Sequence, residues 1–287
     1  MAALESLAAA TPLAAVVRVA PRGNQPASIA VHMRRLARWA LRRGTEYQMA
    51  RIARAHGAPL LLLRHANDDA VWKQVAALQP ELLLVAGCPW IFPQSVLDIP
   101  HVAAVNVHPS LLPRHRGLLP YPWIYHHNDR TSGVTAHCMV AQVDEGAVLA
   151  QHAFSVERGM SVLELDRRNA ASTSHAVADA IAALRRGERG LVQSEPAATR
   201  APRVRPGDSL VDCARWPAER VWHVLAGLQA FFREPLCDEY QRPVSYASVL
   251  GFATGSTEWP TGTVRLRGSE GLLACQDGWV RLAMAGA

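Results

Sequence analysis

Through the first two thirds of the chain, short aliphatic runs alternate with longer stretches in which apolar residues recur every three or four positions. Residues 14–19, 59–63, 81–86, 103–108 and 133–139 have the compact, β-branched or aliphatic character of strands. Between them, 29–44 and 47–55 read as helices carrying arginines, a helix capped by Asp68 or Asp69 runs to Leu78, and Val96 and Leu97 belong to a short helix. A long helix over 161–186 opens with the capping box Ser161-x-x-Glu164. Strands alternating with helices predict an α/β fold with a mostly parallel sheet covered on both faces.

The texture changes after Arg186. Residues 187–208 hold prolines, glycines and Arg200, Arg203 and Arg205, the composition of a linker. Pro217 then opens a helix with Val221, Trp222, Leu225 and Leu228 on one stripe. Four short strand-like runs follow (243–252, 262–266, 271–275 and 279–284), separated by turns containing glycine, which predicts a small β-barrel. The division expected is therefore a catalytic domain over 1–188, a linker over 189–207 and a C-terminal domain over 208–287.

At 287 residues and near-average apolar and charged content, the chain is neither disordered nor too small to bury a core. The net charge of +6 is carried almost wholly by arginine, since Lys73 is the single lysine, and the arginines form no one run. Five widely spaced cysteines, with no CxxC pair, argue against a disulfide framework or zinc ribbon and fit a reducing, cytoplasmic setting. The opening twenty residues lack a basic leader region and carry Glu5, so they read as part of the domain. The longest apolar runs are far short of the roughly 20 residues of a membrane helix.

Chemistry concentrates at Ala104-Val-Asn-Val-His-Pro-Ser-Leu-Leu-Pro-Arg-His-Arg-Gly117. Side chains at i and i+2 of a strand share a face, so Asn106 and His108 point together while Val105 and Val107 enter the packing. Pro109 ends the strand and leaves both polar groups at its carboxyl end, the edge where open α/β sheets bind ligands. An amide beside an imidazole suits acyl transfer: one steadies a developing oxyanion, the other moves protons near neutral pH. An isolated Asn-x-His is also what a satisfied polar pair at a strand end looks like. His115, His126, His127 and His137 lack the helical His-x3-His spacing of a metal site, so no metal is expected and surface or supporting roles fit them better. Cys88 and Cys138 fit buried small residues, and neither GxGxxG nor a P-loop occurs.

The run from Asn106 to Gly117, followed by Gly133-Val-Thr-Ala-His137 and Val143-Asp144-Glu-Gly146, resembles the 10-formyltetrahydrofolate-dependent formyltransferases, which act on methionyl-tRNA, amino sugars or glycinamide ribonucleotide. The resemblance covers about residues 10–186 and, more weakly, 208–232. It implies a Rossmann-like domain followed by an OB-like barrel. It further implies that Asn106 polarises the formyl carbonyl, that His108 exchanges protons, and that Asp144 beside it raises its pKa. The folate donor would lie along Trp90, Ile91 and Phe92, along Ser110, Leu111, Leu112 and Pro113, and along Val140, Ala141, Gln142 and Val143, with no metal. For Trp90 and Phe92, core packing is an equal alternative.

Three departures from the family stand out, the first bearing on whether the domain is a degenerate module and the other two on the acceptor. No apolar strand and glycine turn precede the first helix, Leu118 stands where sugar-modifying members have a basic residue, and Pro21 to Pro26 replace a long basic loop of the tRNA-modifying members. The expectation is formyl transfer to a small amine or amino sugar, with methionyl-tRNA as the alternative and a non-catalytic binding module as the competing class. A homo-oligomer is possible and no membrane partner is expected.

Overall fold

The computed structural model describes residues 1–20, 44–205 and 207–285. The elements run α1 (Ala2–Ala10), β1 (Val16–Val19), α2 (Thr45–Ala55), β2 (Leu60–Leu63), α3 (Asp69–Ala77), β3 (Leu82–Ala86), α4 (Gln94–Leu97), β4 (Ala103–His108), α5 (Pro120–His126), β5 (Thr131–Cys138), β6 (Val148–Ser155) and α6 (Val162–Arg185). Then follow α7 (Ala218–Leu228), β7 (Leu236–Asp238), β8 (Pro243–Val244), β9 (Tyr246–Thr254), β10 (Thr263–Arg267), β11 (Glu270–Cys275) and β12 (Gly278–Met284). The helix expected over 29–44 and the segment 21–26 lie outside the described residues. The expected cap of α6 is present, with the Glu164 amide donating to Ser161 Oγ at 3.2 Å.

The chain divides into two compact units, 1–116 with 133–152 and 170–198, and 117–132 with 153–169 and 199–287. These do not follow the linear division at 188 and 207. Segments 117–132 and 153–169 belong with the C-terminal residues, because the core of Ile124, Tyr125, Val156, Met160 and Val162 also takes in Leu210, Val224 and Leu228.

In the first unit β1 and β2 pair in parallel, Val16 opposite Leu60 through Val19 opposite Leu63. A second sheet has the order β3-β4-β5-β6, with β3 and β4 parallel and β4 and β5 antiparallel. The alternation of elements announces the crossover connections but not the sense in which the chain re-enters the sheet after residues 109–130. On one face Val105, Val107, Val134 and Ala136 pack against Ala176, Val177, Ala180 and Ile181 of α6 and Ala3 of α1. Elsewhere, Ala104 joins Leu63, Val71, Trp72, Val75, Val96 and Leu97, a core that draws on both sheets. Among the described residues the edges of β1 and β3 are not paired with each other. Residues 16–19 and 82–84 instead line one cavity of about 930 Å³, together with Leu4 and Leu7 of α1.

In the second unit α7 buries Ala218, Val221 and Leu225 against Val264, Leu273, Val280 and Leu282 of the sheet. The sheet order is β8-β7-β10-β11-β12-β9. Among the described residues no pairing joins β8 to β9, so the expected barrel is corrected to a six-stranded sheet that is not closed. Strand texture records which residues pair, whereas closure depends on tilt and stagger that local sequence does not carry.

Candidate active site

The antiparallel register of β4 on β5 sets Asn106 opposite His137 and His108 opposite Thr135. Because alternate residues share a face, these four polar side chains gather on one side while Val107 and Ala136 between them fill the core. The Asn106 amide donates to His137 Nε2 at 3.2 Å and to Asp144 Oδ1 at 3.3 Å. His137 Nδ1 in turn lies 2.9 Å from the Cys138 carbonyl oxygen, which can only accept, so its hydrogen is on Nδ1 and Nε2 is free to accept. By the same reasoning His108 carries a hydrogen on Nε2, which donates to the His115 carbonyl at 2.9 Å. That leaves His108 Nδ1 facing Asp144 Oδ2 at 3.5 Å, a charged contact longer than a hydrogen bond. Asn106, His108 and Asp144 are thus brought together.

Thr135 anchors the loop that follows β4. Its buried hydroxyl accepts from the Leu112 amide at 3.0 Å and from Gln151 Nε2 at 2.9 Å, and donates to the Ser110 carbonyl at 2.7 Å. Gln151 also donates to the Leu112 carbonyl at 2.7 Å. Ser110 Oγ donates to the Arg114 carbonyl at 2.7 Å, so the loop is held at both ends by its own polar groups. Of the residues assigned to the donor, Ser110 and Leu112 are buried and Leu111 and Pro113 partly so, which leaves backbone more than side chain to meet a ligand. Phe92 is 6% exposed and meets Trp72 edge to face at 5.4 Å, the core packing that was the equal alternative for it. Trp90 is half-buried against the same core, whereas Ile91 is 69% exposed. Val140, Ala141, Gln142 and Val143 form an exposed turn leading into the half-buried Asp144.

That turn is tightly specified. Asp144 adopts φ 58°, the left-handed region, which Asp enters more readily than most residues. Two residues on, a Cβ at Gly146 would fall 1.8 Å from the Cys138 carbonyl oxygen, so only glycine lets the turn lie against the end of β5. This is the physical content of the Asp-x-Gly spacing. Gln193 then donates from one amide nitrogen to the carbonyls of Asp144 at 2.9 Å and Gly146 at 2.7 Å. Arg116, Thr135, His137, Gln151 and Gln193 are contributors the motif reading did not assign to the site. For Thr135 and His137 the alternation with Val134 and Ala136 was a usable signal; for Gln193, nearly fifty residues beyond Asp144, no local pattern existed.

Burial is the largest influence on His108 and pushes its pKa below the ordinary histidine value; the Asp144 carboxylate and the His115 carbonyl oppose it. The expected rise from Asp144 is thus present as a contribution but is outweighed. Burial pushes the Cys138 thiol up, away from nucleophilic reactivity. Among the described residues no cluster of His, Cys, Asp or Glu could hold a metal ion. No helix among them is long and apolar enough to cross a membrane.

Residues 9–181 match the formyl transferase family. Over 236 residues the chain is 36% identical to the methionyl-tRNA formyltransferase of Pseudomonas paraeruginosa, covering 80% of this chain and 74% of that protein. Among solved structures, HypX from Aquifex aeolicus in complex with tetrahydrofolic acid superposes with a TM-score of 0.59 at 16% identity, over 93% of this chain and 43% of that one. The chain thus spans less than half the length of HypX. WlaRD, a sugar 3N-formyl transferase, superposes with a TM-score of 0.56 at 14% identity, over 82% of this chain and 80% of its own. At these identities the structural likeness speaks to the fold.

Proposed function

The chain belongs to the formyl transferase family, and from that premise we propose that it moves a formyl group from 10-formyltetrahydrofolate to the amino group of methionyl-tRNA. One observation carries the acceptor: the 36% identity to a methionyl-tRNA formyltransferase extends over 236 residues, more than the 9–181 family match contains. This replaces the expectation of a small amine or amino sugar. That expectation rested on the segment at 21–26, which weakened the tRNA reading, whereas Leu118 disfavours an anionic nucleotide sugar; the sugar formyltransferase similarity is one of fold at 14% identity.

The reaction breaks the bond from the formyl carbon to the folate nitrogen and forms one to the acceptor amine. The attacking amine loses a proton and the departing nitrogen gains one, so no net acid or base is consumed. In this reading the Asn106 amide turns from Asp144 or His137 to the developing oxyanion. His108 exchanges the proton through Nδ1, because Nε2 is committed to the His115 carbonyl. Asp144 stabilises the imidazolium while it lasts. The lowered His108 pKa keeps the ring neutral near pH 7, the form that can take a proton.

The test is incubation with 10-formyltetrahydrofolate and, in separate arms, methionyl-tRNA and a nucleotide-linked amino sugar, read by the mass gain of one formyl group. Gain on methionyl-tRNA supports the assignment, and gain on the amino sugar alone overturns the acceptor. Activity on tRNA should fall steeply with salt, because phosphate contacts release counterions.

A further inference from the structure

We propose that Gln193 is a positioning residue that holds Asp144 against His108, and that Arg116 fixes Gln193 in the orientation this requires. The inference rests on the catalytic reading of Asn106, His108 and Asp144 given above. Gln193 is 8% exposed and spends its full amide capacity: Nε2 donates to the carbonyls of Asp144 and Gly146, and Oε1 accepts from Arg116 Nε at 3.0 Å and Nη2 at 2.9 Å. The amide cannot be turned over. A guanidinium offers only hydrogens and a carbonyl accepts only, so reversing the group would break all four bonds.

Arg116 is itself pinned, 1% exposed, with Nη1 and Nη2 donating to Glu195 at 3.1 and 2.7 Å, and with the Glu145 carboxylate 3.6 Å from Nη1 as an ion pair. It directly follows His115, whose carbonyl receives His108 Nε2. The contacts therefore close a circuit. From His108 they pass to the 115–116 backbone, through Arg116 and Gln193 to the Asp144 turn, and back to His108 Nδ1. Both edges of the imidazole are set by one connected network, in which the Gln193 amide makes two hydrogen bonds to the main chain of the Asp144 turn. The turn needs this hold, because Asp144 sits at φ 58°, a conformation that persists where the surroundings enforce it.

The experiment is an NMR titration of His108 in Gln193→Met, a substitution that keeps length and removes both halves of the amide, alongside steady-state formyl transfer. The charged or titratable side chains facing His108 are those of Asp144, His115 and His137, and among these side chains Asp144 is the one that raises its pKa. Release of the Asp144 turn should therefore lower the His108 midpoint by about 0.5–1 unit. It should also lower kcat by about 10 to 10²-fold with the donor KM nearly unchanged. In an Asp144→Asn background the same substitution should change neither further, because coupled residues are not additive.

An unmoved midpoint in folded Gln193→Met, or full additivity with Asp144→Asn, overturns the proposal. Should Gln193→Met not fold, Gln193→Asn, which keeps the amide but draws it back by one methylene, carries the same measurement. The titration needs no substrate, so a wild-type protein that transfers no formyl group would count against the reaction assigned above and leave the positioning result standing.

Discussion

The Nε2 of His108 donates to the main-chain carbonyl of His115 at 2.9 Å, so the ring nitrogen left for chemistry is Nδ1, on the Asp144 side. A buried imidazole committed on one edge works as a one-sided proton carrier. His108→Ala is expected to cost about 10² to 10⁴ in turnover, the usual worth of a positioned acid or base. Steady-state formyl transfer measures it, and unchanged turnover would remove His108 from the mechanism.

Thr135→Val tests the anchor of the loop. The change keeps shape but strands the Leu112 amide and one Gln151 hydrogen, both paired to this hydroxyl. Unsatisfied buried groups cost about 1–3 kcal/mol each, and relaxation recovers part of it, so a loss of roughly 2–3 kcal/mol is expected. Urea unfolding reads the loss, and Thr135→Ser, which restores the oxygen, should recover most of it.

At Gly146 the prediction is steric. A methyl group there must displace the Cys138 carbonyl, which sits 1.8 Å from the position of the added carbon. Gly146→Ala should move the Asp144 turn and reduce formyl transfer at least as strongly as Gln193→Met, with a lower melting temperature. A variant matching wild type in both would show the turn to be more tolerant than its packing implies.

His223, fully buried, accepts the Gly159 amide on Nδ1 at 3.0 Å, and burial together with Arg158 pushes its pKa down to about 4. The unfolded chain binds a proton near pH 6.5 that the folded one refuses until about pH 4. The contribution is therefore complete above pH 6.5 and is lost as pH falls towards 4, on the order of 3 kcal/mol. Denaturation at a series of pH values should show stability falling across this window, less steeply in His223→Gln. His108, shifted in the same direction, keeps some of the slope.

The cavity of about 930 Å³ beside β1 and β3 is walled mainly by aliphatic side chains. Apolar cavities of this kind take up apolar molecules. The native protein should enhance the emission of an anilinonaphthalene dye, and Ala86→Trp, at an exposed position on the lining, should lessen it. Native protein that leaves the dye dark would mean the space closes in solution.

The sequence by itself determined what is local. Alternation and capping marked β4 and α6 nearly to the residue, and the two-residue spacing of Asn106 and His108 assigned them to one face, because side-chain direction in a strand is set by the backbone alone. The Asp-x-Gly spacing pointed to Asp144 only through family resemblance; the clash of a Gly146 side chain with Cys138 became visible once the turn was folded. Tertiary structure alone decided the rest. β6 was not read as a strand, Phe92 turned into the core, and segments 117–132 and 153–169 joined the C-terminal unit. The net direction of the His108 pKa depended on burial, which no pair of residues in sequence reports. Gln193 reached the site from far along the chain, because a hydrogen-bond partner is chosen by proximity after packing and leaves no periodic trace beforehand.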